Sequence, residues 1–171
     1  LFRHGWVKPG ILGAVFLMAM GYHMWQAGLR NGKISVLYQE EGILGQVMVA
    51  EIPVERDGKT QQERTLFVNR IIQTSYNPEN EKFNDFDYFH AVSDVLSAYP
   101  KGARMLVLGL GGGVLAQDAV KKGFKVDAVE LDQRIIDVSR QYFGLDTSVQ
   151  VFRDDARRYL NACKETYDII L

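Results

Sequence analysis

In the second half of the chain, short apolar blocks alternate with stretches of helical period. Arg104–Leu110, Lys125–Leu131, Val149–Phe152 and Tyr167–Leu171 are mainly apolar runs of strand length. Between them, Val114–Lys122, Gln133–Phe143 and Ala156–Cys163 place apolar residues three and four apart. The first two of these end at Gly123 and Gly144. The spacing predicts strands alternating with helices, hence βαβ units and a parallel sheet. Four strands make the first half of a doubly wound α/β sheet. One more helix precedes them. Asn84 caps it with Asp87 three residues on, Phe89, Val92, Leu96 and Tyr99 follow at helical spacing, and Pro100 with Gly102 ends it. Residues 84–171 are thus expected to form one Rossmann-like domain.

Upstream, residues 34–76 change period. Gln46–Ile52 and Arg64–Asn69 are β-rich, and the Asp57-Gly58 pair between them favours a hairpin. An earlier strand lies around Ser35–Gln39, punctuated by Gly42 and Gly45. This region reads as a small antiparallel β unit. Asn77-Pro78 opens a polar loop.

Residues Val7–Trp25 are mostly apolar, bracketed by Trp6 and Trp25. On a helix the two indoles stand about 28 Å apart, close to the thickness of a bilayer core. Tryptophans at both interfaces fit a transmembrane helix over residues 6–26. Lys8, His23 and several glycines weaken the run, so a signal segment or a buried or interfacial helix stays open. Basic residues flank both ends and leave orientation open.

Composition narrows the classes. The formal net charge of -1 argues against a nucleic-acid partner. A single cysteine, Cys163, excludes an internal disulfide, and its plain reading is a half-buried small residue. Three scattered histidines give no metal-site spacing. The chain begins at Leu1 and stops within an apolar run, which reads as a fragment of a longer protein.

The candidate chemistry sits where the first parallel strand ends. Gly109, Gly111, Gly112 and Gly113 follow the apolar run, and Glu130 closes the next one about twenty residues later. A strand, a tight glycine turn, a helix and a second strand ending in an acid form a nucleotide- or nucleoside-holding arrangement. The turn amides, at a helix N-terminus, favour an anionic or polar ligand edge. Glu130 suits the two ribose hydroxyls; its plainer reading is an exposed strand-end acid. Asp132 reads as a helix cap. Asp154, Asp155 and Ala156 end the third strand, where an aspartate can accept from an exocyclic amine such as adenine's. The plainer role for such an aspartate is again helix capping.

In this order the motifs resemble the spermidine synthase family, the aminopropyltransferases, over roughly Ile34–Leu171. The marks are Leu66–Gln73, Phe86-Asp87-Tyr88, the glycine loop, Val129–Asp132, Asp154-Asp155-Ala156 and Tyr167–Ile170. With an apolar segment ahead, the chain looks most like bacterial proteins that fuse transmembrane helices to a spermidine-synthase-like domain. The resemblance implies an S-adenosylmethionine-methyltransferase-type sheet. It implies that the glycine loop and Glu130 hold decarboxylated S-adenosylmethionine, that Asp155 faces adenine, and that Tyr88 helps position a polyamine such as putrescine. Gln73 matches a family glutamine. The resemblance further implies a homodimer, and an inner-membrane protein whose soluble part faces the cytoplasm.

The chain also departs from the family pattern. Gly111 stands where the family commonly has an aspartate, Tyr88-Phe89-His90 replaces Tyr-His-Glu or Tyr-Gln-Glu, and Asn69-Arg70 replaces Asp-Gly. An early family glutamine matches either Gln39 or Gln46. The family's catalytic aspartate falls beyond Leu171, so no catalytic residue is assigned and the fragment is expected to be inactive. Three readings follow: an aminopropyltransferase-like domain, an S-adenosylmethionine-dependent methyltransferase, and a non-catalytic nucleoside-binding domain of a membrane protein.

Overall fold

A computed structural model describes residues 34–56, 58–77 and 87–171. The expected membrane segment at 6–26, the Asn84 cap and Phe86 lie outside the described residues. Among the described residues no helix is long and apolar enough to cross a membrane.

Two four-stranded sheets are present. The first runs β1 (Ser35–Gly42), β2 (Gly45–Arg56), β3 (Lys59–Val68) and β4 (Ile71–Tyr76), in that spatial order. β2 pairs antiparallel with β3 from Val47↔Val68 to Arg56↔Lys59, and β3 pairs antiparallel with β4. The β2–β3 hairpin falls where the Asp57-Gly58 pair places it, with Gly58 at φ 70°. The β3–β4 hairpin was not legible in the sequence. Its two turn residues, Asn69 and Arg70, have φ 52° and 67°. That left-handed pair is the hairpin conformation usually signalled by Asn-Gly, and an arginine at its second position hides it.

The second sheet follows α1 (Asp87–Leu96). It contains β5 (Arg104–Leu108), α2 (Val114–Lys121), β6 (Lys125–Glu130), α3 (Gln133–Phe143), β7 (Gln150–Arg153), α4 (Ala156–Ala162) and β8 (Ile169–Ile170). Its spatial order is β7-β6-β5-β8, all parallel. In chain order this is 3-2-1-4, the doubly wound arrangement expected from the sequence, with the switch point between β5 and β8. β5 is shorter than the apolar run that encodes it because Gly109, at φ 93°, turns the chain out of the sheet. β8 is short by assignment, yet the ladder continues past it. Asp168 N–H donates to the Arg104 carbonyl, and Leu171 both donates to Leu106 and accepts from Leu108.

The two sheets share one core. Val47, Val49 and Leu66 of the antiparallel sheet join Met105, Val107, Ala116, Ala119, Ile135 and Phe143 in one buried cluster. Helix α3 carries much of the contact. Tyr142 Oη donates to the Leu37 carbonyl at 3.2 Å, and Arg64 Nη1 donates to the Tyr142 carbonyl at 2.7 Å while Nη2 pairs with Glu51. Burial of these apolar side chains, about 1.5–3 kcal/mol each, fixes the antiparallel sheet against α3. That placement brings the first sheet's β1–β2 turn and β4 beside the C-terminal ends of β5 and β6.

Candidate functional site

A cleft of about 530 Å³ opens at the C-terminal ends of β5 and β6. Its volume is that of a small-molecule site. One wall is Leu108, Gly109, Leu110 and Gly111, continuing into Val114 and Leu115 of α2; Glu130, Leu131, Asp132 and Ile135 form the floor. The opposite wall comes from the antiparallel sheet and α1, through Leu44, Gln73, Thr74 and Tyr88.

The glycine loop is held by the protein itself. Gly109 N–H donates to the Val129 carbonyl, Leu110 N–H to Glu130 Oε2, Gly112 N–H to Thr74 Oγ1 and Gly113 N–H to the Leu110 carbonyl, all within 2.8–2.9 Å. The sequence suggested that the amides of Gly109, Gly111 and Gly113 would face a ligand; those of Gly109 and Gly113 instead close the loop on internal acceptors. Gly109, Gly111 and Gly113 all have positive φ, which an L side chain rarely adopts. Gly113 is the N-cap of α2, without a side-chain cap. A methyl at Gly112 would approach Thr74 Cγ2 to 2.7 Å, and one at Gly113 would approach Leu145 Cδ1 to 2.7 Å. These two glycines are buried and serve close packing, whereas Gly109 and Gly111 face the cleft.

Glu130 is at the end of β6, partly buried, with both carboxylate oxygens anchored. Oε2 accepts from Leu110 N–H at 2.9 Å and Oε1 from Asp132 N–H at 3.0 Å. Each oxygen keeps a second acceptor position, so the carboxylate is pre-oriented rather than used up. Two residues on, Asp132 caps α3 through Arg134 N–H, as expected from the sequence. Its carboxylate also takes the Arg134 guanidinium, at 3.0 Å from Nε and 2.6 Å from Nη2. The side-chain bond from Arg134 holds the Asp132 carboxyl below the usual carboxylate range and pushes the arginine up.

The structure therefore brings Gly109, Gly111, Glu130, Gln73 and Tyr88 around one cleft. Asp154, Asp155 and Ala156 do not line it. Asp155 is the N-cap of α4, accepting from the amides of Arg157 and Arg158, which is the plainer role. Asp154 pairs with Arg158 and borders a second hollow with Arg104, Asp127 and Tyr159. Tyr167 Oη donates to Asp127 at 2.8 Å and meets Tyr159 Oη at 3.0 Å; burial and these bonds push the Tyr167 phenol up. Thr74, Leu44 and Arg134 were not singled out from the sequence. Thr74 follows Gln73 directly, but nothing in the chain order signals that its hydroxyl reaches a loop far downstream.

Comparison with known proteins adds the following. The spermine/spermidine synthase domain model matches residues 85–171. A polyamine aminopropyltransferase of Streptococcus uberis is 34% identical over 101 residues, covering 52% of this chain and 35% of that protein. One from Agathobacter rectalis is 32% identical over 97 residues, covering 52% and 34%. The chain thus spans about a third of the length of these relatives. Among solved structures, spermidine synthase from Thermotoga maritima superposes with a TM-score of 0.61 at 17% identity, covering 80% of this chain and 46% of that one. At that identity the likeness is one of fold.

Proposed function

The chain belongs to the spermine/spermidine synthase domain family, and from that premise we propose that its cleft holds the nucleoside end of S-adenosylmethionine or its decarboxylated form. The observation that carries this reading is the Glu130 carboxylate. It stands at the mouth of the glycine loop with its orientation fixed by two backbone amides and acceptor capacity left over. A diol is the ligand group that such a carboxylate serves best, since it accepts from both hydroxyls without moving. Apolar neighbours Leu44, Leu131 and Ile135 suit the faces of a purine.

In the complete protein the reaction we propose is transfer of an aminopropyl group to a polyamine such as putrescine. The amine nitrogen attacks the carbon beside the sulfonium, the carbon–sulfur bond breaks, and methylthioadenosine leaves as the amine loses a proton. Gln73 and Tyr88, across the cleft from the glycine loop, are the proposed acceptor-side contacts. Glu130 and Asp132 are already bound to backbone amides and to Arg134, so neither is assigned the role of base.

The test is titration calorimetry of the chain with methylthioadenosine, S-adenosylmethionine and decarboxylated S-adenosylmethionine. Binding of all three, lost on Glu130→Ala, is the expected result; equal affinity in parent and variant sinks the reading. One observation favours a methyltransferase as second reading: Gly111 faces the cleft where the resembled family commonly carries an acid. Clear preference for S-adenosylmethionine over the decarboxylated form would select it. A mass-spectrometric assay with putrescine then reports aminopropyl transfer directly.

A further inference from the structure

Arg134 does not line the cleft, yet its guanidinium joins two segments that do. From the first turn of α3 its Nη1 donates to the carbonyls of Glu40 at 3.2 Å and Gly45 at 3.0 Å. Those two carbonyls flank the turn that joins β1 to β2. Its Nε and Nη2 hold both oxygens of Asp132, and the ion pair is largely buried, each side chain 13% exposed. The planar fork of guanidinium donors suits this division of labour, and a lysine ammonium does not.

The turn is shaped to receive it. A methyl group built on Gly42 would stand 2.8 Å from Arg134 Nη1 and 2.9 Å from Cζ, so the guanidinium lies flat against bare backbone. On the other side Gly45, at φ 96°, packs against Asn69, whose Oδ1 accepts from Gln46 N–H at 2.9 Å. Leu44, inside this turn, and Asp132, inside the ion pair, both line the cleft.

We infer that Arg134 is a positioning residue: it clasps the Gly42–Gly45 turn to the start of α3 and so holds Leu44 against the nucleoside end of the cleft. The inference rests on the proposed nucleoside reading for its effect on binding, but not for the clasp itself. The arginine acts through the turn and through Asp132 and makes no ligand contact of its own. Affinity for a nucleoside therefore depends on a residue outside the cleft.

The experiment uses two variants that open the clasp from opposite sides. Arg134→Ala removes the fork. Gly42→Ala keeps the arginine but pushes it off the backbone at a position whose φ is not left-handed, so a fold damaged in one variant leaves the other informative. Amide hydrogen exchange without ligand should accelerate about tenfold or more at residues 42–46 in both, with the β5 and β6 amides unchanged. Methylthioadenosine affinity should fall about tenfold in each, and the double variant should lose little more, because both break one linkage. Arg134→Lys should recover only part of the affinity. Unchanged exchange in the turn overturns the clasp. Faster exchange with unaltered affinity, or additive losses, overturns the positioning role. If the parent chain binds no methylthioadenosine, the functional reading falls, and the exchange data alone decide the clasp.

Discussion

Glu130 and Leu110 are joined across two parallel strands: the Glu130 Oε2 accepts the Leu110 amide at 2.9 Å, tying the end of β6 to the turn after β5. One carboxylate thus stabilises the loop and presents itself to the ligand. Glu130→Gln should expose this double role. The amide side chain retains one acceptor and must turn a donor toward either Leu110 N–H or Asp132 N–H. Thermal unfolding should show a loss of about 1.5–3 kcal/mol, the range for a hydrogen bond to a charged group. Methylthioadenosine affinity should fall more than tenfold, read by calorimetry.

Thr74 offers a sharper test of the loop. Its buried hydroxyl is the acceptor for Gly112 N–H. Thr74→Val keeps the shape and removes the acceptor, which leaves a buried amide unsatisfied at about 1–3 kcal/mol. Thr74→Ser keeps the acceptor and should cost clearly less in urea denaturation.

The same threonine sets the size limit at Gly112. Gly112→Ala brings a methyl to 2.7 Å from Thr74 Cγ2, and neither group has room to move in a buried strand-to-loop contact. A loss of about 1–3 kcal/mol is expected. Adding Thr74→Ser removes the closest clashing carbon, so the double variant should be more stable than Gly112→Ala alone. Additive losses would show that the clash lies elsewhere.

Stability should respond to acid through Asp132. Its folded-state carboxyl is held below the ordinary range, chiefly by the Arg134 side-chain bond. A depressed folded pKa contributes stability that is complete above the unfolded carboxylate value, about 3.9, and is lost as pH falls through the folded value. The stability gap between parent and Arg134→Ala should therefore be constant near neutrality and shrink below about pH 4. Melting curves across pH 2.5–7 (about one point per half unit) test the sign. A gap that widens in acid contradicts it.

Arg70 occupies the second position of a left-handed turn pair at φ 67°. Arg70→Gly relieves that strain and should raise stability by about 0.5–1 kcal/mol, net of the freedom glycine adds to the unfolded chain. Chemical denaturation midpoints give the answer directly.

The parallel half was legible because its signals are local. Apolar runs ending at Gly123 and Gly144 set the α2 and α3 boundaries within a residue, and Glu130 stood out through its spacing from the glycine loop. Where one residue type serves two purposes, the sequence was silent. Asp155 at a strand end reads as a purine contact or as a helix cap, and the choice depends on where the α4 amides fall. Arg134 and Thr74 act on residues in other elements, so no periodicity or nearby spacing marks them. The β3–β4 turn was hidden because its backbone conformation is carried by Asn69-Arg70 rather than by glycine.

The strand order has a kinetic consequence. β2 and β3 are joined by a two-residue connection and zip along ten residue pairs, so this hairpin can close on the microsecond scale of local structure. β5 gains its β6 partner after one helix, but Met105 waits for Ile169, two further helices downstream, before its other side is covered. During synthesis Met105 and Leu106 leave the ribosome long before Ile169 and Ile170. The central strand of the parallel sheet therefore spends its early lifetime with one edge unpaired, and closure of that edge is the step most exposed to competition from other chains.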